Sequence, residues 1–204
     1  MTARHHLLIS GTGRAGTTFL VQLLAALGLD TGTPSPIDAH AQAGLELDLR
    51  HPDAPYVVKS PWICDYLDTL LCEPTDLVID QVLIPVRDLY AAAESRRDVV
   101  RRAGPGARPD INGGLWHTAE PADQERVLAR QLYRLIYACA RHEIPVTLLA
   151  FPRLVQDAAY LYAALRPVLP GIDGAAFLQA FQAVCRPELV HDFAREGGDD
   201  STLA

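Results

Sequence analysis

The sequence predicts an α/β fold, a central parallel sheet flanked by helices, formed as a single domain over residues 1–204. Three observations carry that expectation. Short apolar runs of strand length alternate with longer segments of helical spacing in the order β, α, β, α, β, α, α, β, α, and such alternation builds a parallel sheet covered on both faces. A length of 204 residues suits one domain better than two. Glycines crowd the turn between the first strand and the first helix, where folds of this class place a ligand-binding loop.

His6-Leu7-Leu8-Ile9-Ser10 reads as the first strand, and Thr17 to Leu27 is an apolar stretch too long for a strand, with Gly28 as its C-terminal stop. Residues 30–55 are rich in Pro and Gly and read as a loop with one short apolar patch at Leu45, Leu47 and Leu49. Tyr56-Val57-Val58 makes a second strand, ended by Lys59-Ser60-Pro61 before a helix from Trp62 to Leu71. Val82 to Val86 is the third strand; Pro85 has no N–H for a ladder and points to a sheet edge or a strand end. A helix follows from Asp88, its capping residue, to Arg102.

Residues 103–121 are dense in Gly and Pro and long for a connection, the mark of a lid or binding loop. Asp123 to His142 carries Leu128, Leu132, Leu135, Ile136 and Cys139 at helical spacing. Val146 to Leu149 is the fourth strand, two or three shorter helices fill 153–194, and residues 197–204 read as a frayed end.

Composition excludes several classes of function. Acidic residues number 25 against 18 basic, a net charge of −7, which disfavours a nucleic-acid or anionic-membrane partner while leaving room for a small local anion site. Hydrophobic residues at 49% and charged residues at 21% fit a globular core rather than disorder. No apolar run approaches the roughly 18 residues of a membrane span, and the first residues lack a leader-like pattern, so a cytoplasmic protein is expected. Cys64, Cys72, Cys139 and Cys185 contain no C-x-x-C pair and are read as reduced core residues; no metal is called for.

The chemistry begins at Gly11-Thr12-Gly13-Arg14-Ala15-Gly16-Thr17-Thr18, between a strand and a helix. Glycines there let backbone N–H groups turn inward, and the helix N-terminus adds positive potential for a phosphate. The spacing matches a Walker A loop except that Thr17 stands where the lysine belongs, which weakens a nucleoside-triphosphate reading. Arg14 supplies a cation instead. Lys59 follows the second strand and Arg87 the third, so a parallel sheet should gather Arg14, Lys59 and Arg87 at its carboxyl edge as an anion site.

These segments resemble the PAPS-dependent sulfotransferases, in particular the small prokaryotic-type branch of that P-loop superfamily. Arg14-Ala15-Gly16-Thr17-Thr18 is similar to the family's 5′-phosphosulfate loop, Arg87 with Ser95 on the next helix is similar to its 3′-phosphate element, and Val57-Val58-Lys59-Ser60-Pro61 resembles its K-[ST]-P segment. The resemblance spans residues 6–102 and implies a P-loop three-layer sandwich. It further implies PAPS (3′-phosphoadenosine-5′-phosphosulfate) as sulfuryl donor, 3′,5′-ADP as product, and a small-molecule acceptor bearing a hydroxyl or amine.

By that resemblance Thr12 to Thr18, Arg87 and Ser95 bind the donor, Arg14 and the loop amides hold the 5′-phosphosulfate, and Lys59 contacts the sulfuryl group. For the catalytic base Glu46 is the best positional candidate, with Asp48, His40 and His51 as alternatives; the loops at 30–55 and 103–121 would select the acceptor. Arg96, Arg97, Arg101 and Arg102 are expected to form a solvated helix face, His191 is expected to be a surface or capping residue, and Trp116 either shapes an acceptor pocket or anchors its loop. Two rivals stay open: a P-loop small-molecule kinase using MgATP, with Asp88 as its candidate magnesium ligand, and a catalytically silent nucleotide-binding module.

Overall fold

The computed structural model describes residues 3–32, 45–191 and 193; His40 and the segment 197–204 lie outside the described residues. The strands are β1 (Arg4–Ile9), β2 (Val57–Lys59), β3 (Leu77–Val86) and β4 (Val146–Ala150). The helices are α1 (Thr17–Ala26), α2 (Ile63–Cys72), α3 (Leu89–Ala103), α4 (Gln124–Arg141), α5 (Arg153–Gln156), α6 (Ala158–Leu165) and α7 (Gly174–Val184). All strand pairs are parallel, in the order β2-β1-β3-β4.

Alternation along β1 divides the core. Leu7 and Ile9 point to one face, where Phe19, Leu20, Leu23 and Leu24 of α1 meet Leu161 and Leu165 of α6 and Phe177 and Phe181 of α7. Leu8 points to the other, against Ile63 and Leu67 of α2 and Leu135, Ala138 and Cys139 of α4. Each fully buried leucine contributes about 1.5–3 kcal/mol relative to exposure, so both faces hold their helices firmly. Among the described residues no helix is long and apolar enough to cross a membrane.

The third strand is longer than its sequence pattern predicts, and a bulge is the reason. The register passes from His6 opposite Ile79 to Leu7 opposite Gln81, leaving Asp80 as the extra residue. That insertion shifts the side-chain period by one, so Leu77 and Ile79 face the same core as Val82 and Ile84. Strict alternation fails at Asp80, which is why the sequence shows only the second half.

Pro85 lies at the carboxyl end of β3, yet β3 is an inner strand rather than an edge. Ser10 N donates to Leu83 O at 3.1 Å, closing the ladder with β1 there. The position where a Pro85 N–H would point is therefore already past the end of that ladder, and no sheet bond is lost. Asp88 caps α3 as expected, its Oδ1 accepting from Ala91 N at 2.8 Å. Among the cysteines, Cys64 and Cys139 are buried, Cys185 is half-buried, and Cys72, contrary to expectation, is exposed at the end of α2.

The topology also fixes where a ligand can sit. The chain runs from β1 outward to β2, then crosses back over β1 to β3, so a crevice opens at the carboxyl ends of β1 and β3. Residues 11–16 and Arg87 emerge there.

Candidate functional site

A cavity of roughly 300 Å³ occupies that crevice, and Arg14, Lys59, Arg87, Ser95 and Glu46 all line it. The sequence-based expectation that the three strand-end cations share one rim is therefore met in the geometry.

The loop from Gly11 to Gly16 is curled by residues in the left-handed region: Gly13 at φ 67°, Arg14 at 55° and Gly16 at 86°. Two of the three are glycines, which adopt that region without penalty. Arg14 is not, and a non-glycine there costs about 1–2 kcal/mol. Side chains from α3 and the end of β3 hold it in place: Arg14 Nε donates to Ser95 Oγ at 3.1 Å, and Arg87 Nη1 donates to Arg14 O at 2.9 Å. Loop, strand end and helix are thus tied together around one point. The N-cap of α1 is Gly16, which has no side chain to cap the helix, and the first residues Thr17 and Thr18 line the cavity, so among the described residues the positive dipole end of α1 faces the space where an anion would sit. Thr12 and Ala15 are buried behind the loop and do not line the cavity.

Lys59 is 5% exposed at the end of β2, its Nζ donating to Glu46 Oε1 at 3.0 Å and to Thr18 Oγ1 at 3.1 Å. Burial pushes the lysine pKa down, Glu46 works against that, and Arg14 adds a smaller push downward. Burial likewise lowers the Arg14 pKa. Among the described residues, Glu46 is the only base candidate that lines the cavity. Its backbone is drawn in by Leu47 N donating to Lys59 O at 2.8 Å. Asp48 is chelated instead by Arg50, and His51 accepts from Asp53 N on the exposed side.

Arg96 departs from its expected solvated role. It is buried, Nη2 donates to Thr12 O at 2.8 Å, Nη1 donates to Gly114 O at 2.9 Å, and its guanidinium lies 5.0 Å from the Trp116 ring centre. Burial first, and the nearby Arg14 second, pull its pKa down to about 10. This arginine fastens the glycine loop to residues 110–116, which form a wall of the cavity. A Cβ on Gly13 would crowd Arg96 Nη2, so any larger residue there would have to push the guanidinium from its place. Nothing in the spacing of Arg96 among its neighbouring arginines marks it; its place opposite the loop is a tertiary fact. Arg101 and Arg102 do lie on the exposed side, whereas the Arg97 side chain is only 14% exposed, held between Glu94 and Glu125, and is not solvated as expected.

Trp116 anchors its loop, one of the two roles expected of it. It packs on Ala92, Ala93 and Leu128, anchoring the loop, and it lines the cavity, where among the described residues its Nε1 has no acceptor. His191 is not a plain surface residue: its carbonyl accepts from Arg87 Nη2 and it lines the cavity. Phe151 stacks under the Arg87 guanidinium at 4.8 Å. Asp88, the candidate magnesium ligand of a kinase, is occupied as the cap of α3 and does not line the cavity.

Arranged so, the site offers a helix N-terminus, buried cations on several elements and one carboxylate beside a lysine, suited to a polyanion and to a proton acceptor next to it. No protein-family model matches this chain, and no curated protein sequence does. A solved structure, "Sulfotransferase Domain from the Curacin Biosynthetic Pathway", is similar in fold, with a TM-score of 0.51 at 14% identity over 89% of this chain and 79% of that one. The chain therefore has a sulfotransferase-like α/β fold.

Proposed function

We propose that the protein is a PAPS-dependent sulfotransferase, a single P-loop domain of three layers, transferring a sulfuryl group to a hydroxyl or amine of a small-molecule acceptor. The observation that carries this reading is the Arg14–Ser95 bond at 3.1 Å, which joins the glycine loop to the helix after Arg87 at the same cavity. Two elements separated widely in sequence, one suited to a 5′-phosphosulfate and the other to a 3′-phosphate, are brought within one hydrogen bond. The similar fold of a sulfotransferase domain supports the same reading.

The residues present fit the donor. Gly13, Arg14, Gly16 and the first amides of α1 would hold its 5′-phosphosulfate, and Arg87 with Ser95 its 3′-phosphate through charge-assisted hydrogen bonds. When bound, the donor supplies an electrophilic sulfur whose bond to the bridging phosphate oxygen breaks as the acceptor oxygen or nitrogen attacks. Lys59 and Arg14, already fixed by their bonds to Glu46, Thr18 and Ser95, would stabilise the negative charge that develops on the leaving phosphate. Glu46 takes the proton of the acceptor, and its bond to Lys59 keeps the carboxylate aimed at the cavity.

Calorimetric titration with 3′,5′-ADP, 5′-ADP and ATP with magnesium tests the assignment. Preference for 3′,5′-ADP is expected. A preference for MgATP would favour the kinase reading, and 3′,5′-ADP binding without sulfuryl transfer to any of a panel of phenols, alcohols and amines would favour a silent binding module.

A further inference from the structure

At the end of the sheet opposite the cavity, two helices finish side by side. Cys72 is the last residue of α2, Asp68 lies one turn before it, and His142 immediately follows α4. A carboxylate oxygen of Asp68, the sulfur of Cys72 and a ring nitrogen of His142 all lie within 4.8 Å of one another. We propose that Asp68, Cys72 and His142 form a zinc-binding site that ties the end of α2 to the end of α4.

The donor set selects the metal. Thiolate, imidazole and carboxylate together are the ligands zinc takes in tetrahedral sites, whereas calcium and magnesium require oxygen alone. Three protein donors leave the fourth position to water. Both helices present their carbonyl ends here, so two negative dipole ends converge on the cluster and act against the positive charge of Arg141 beside Asp68.

The ligands are also supported from behind. Asp68 Oδ1 faces His142 Nε2 at 2.9 Å, while Asp68 Oδ2 accepts from Arg141 Nη1 at 3.0 Å. Arg141 Nη1 also donates to Oδ1 at 3.3 Å, so the guanidinium grips both oxygens and orients the carboxylate, the longer of its two contacts being on the oxygen that faces His142. The two helices are packed against each other through Leu67, Leu135, Ala138 and Cys139, which presets the spacing of their ends. Exposure of Cys72 gives the metal an entry path.

Binding balances simply. Zinc replaces the proton of the Cys72 thiol, which passes to solvent, and it takes the Nε2 lone pair of His142, whose ring proton moves to Nδ1. Nothing is oxidised or reduced. Because the cluster lies at the far end of the sheet, zinc would brace two helices and leave the cavity chemistry alone.

The test uses the full chain, stripped with a chelator and titrated with Co²⁺ and then Zn²⁺. One equivalent of Co²⁺ should give tetrahedral visible bands with a thiolate-to-metal charge-transfer band, both displaced by Zn²⁺, and zinc should raise the melting temperature. Cys72→Ser should abolish the charge-transfer band, and His142→Gln should weaken zinc by about 10-fold or more, since even outer-shell changes cost that much. The proposal is overturned if the unmodified chain shows no such band, if the band survives in Cys72→Ser, or if zinc affinity is unchanged in His142→Gln. The first of these outcomes needs no variant to fold.

Discussion

Lys59 Nζ sits 3.0 Å from Glu46 Oε1, a pair formed between the end of β2 and the segment that precedes it. The carboxylate side chain is 21% exposed and the lysine side chain 6%, so the cation is the more deeply held partner and the carboxylate the one that can reach a ligand. Replacing Glu46 with Gln keeps the shape and removes the proton acceptor. Sulfuryl transfer should fall by about 10²–10⁴-fold in kcat, the range for loss of a general base, with 3′,5′-ADP affinity changed by less than about threefold. An unchanged kcat on the best acceptor of the panel would assign the base elsewhere.

Arg87 is held by the carbonyls of Arg14 and His191 and by the face of Phe151. In Arg87→Ala, 3′,5′-ADP should bind about 10-fold more weakly or worse, the loss of one charge-assisted bond, whereas 5′-ADP should lose much less. Parallel titrations of both nucleotides give the ratio; equal losses would remove Arg87 from the 3′-phosphate role.

Gly13 and Gly28 provide a matched pair of substitutions. Both have positive φ, 67° and 85°, so alanine strains the backbone at either. At Gly28 nothing lies within 4 Å of the added Cβ, whereas at Gly13 the Cβ would crowd Arg96 Nη2. Gly28→Ala should cost only the left-handed penalty of about 1–2 kcal/mol. Gly13→Ala should cost more, because it also displaces Arg96 from Thr12 and Gly114, and it should weaken 3′,5′-ADP binding by about 10-fold or more where Gly28→Ala leaves it unchanged. Urea unfolding and calorimetry of the two variants make the comparison.

Asp48 provides a pH test away from the cavity. The Arg50 guanidinium, hydrogen-bonded to both of its oxygens, holds its pKa down to about 2 against an ordinary value of 3.8. A carboxylate with a depressed folded-state pKa stabilises the fold above the unfolded value and loses that contribution as pH falls through the folded one. The stability difference between the unmodified chain and Asp48→Asn should thus be present at neutral pH and disappear between about pH 4 and 2. The side chain is 48% exposed, so solvent screening keeps the difference well under 1 kcal/mol. A difference that persists at pH 2 would show that Arg50 does not act through the charge of Asp48.

Much of the site was legible because its parts obey local rules. Glycines at 11, 13 and 16 mark a loop that must visit positive φ, and cations directly after strands mark the ligand edge of a parallel sheet whatever the details of packing. Local rules do not separate the candidates for the base, and Glu46 stands ahead of Asp48, His40 and His51 only by its position in the family resemblance. Their separation depends on which one meets Lys59 and which meets Arg50 or Asp53, and those contacts come from the path of the segment before β2.

The amino-acid order by itself determined the alternation of strands and helices, the capping of α3 by Asp88 and the glycine loop, because each rests on periodicity or on a residue's own backbone preference. Tertiary structure alone decided that Arg96 is a buried brace, that the Asp80 bulge lets Leu77 and Ile79 join the core of Val82 and Ile84, and that Asp68, Cys72 and His142 meet. The physical reason is common to all three. Burial, register and the convergence of side chains from separate elements depend on how whole helices and strands pack, and no local spacing encodes that.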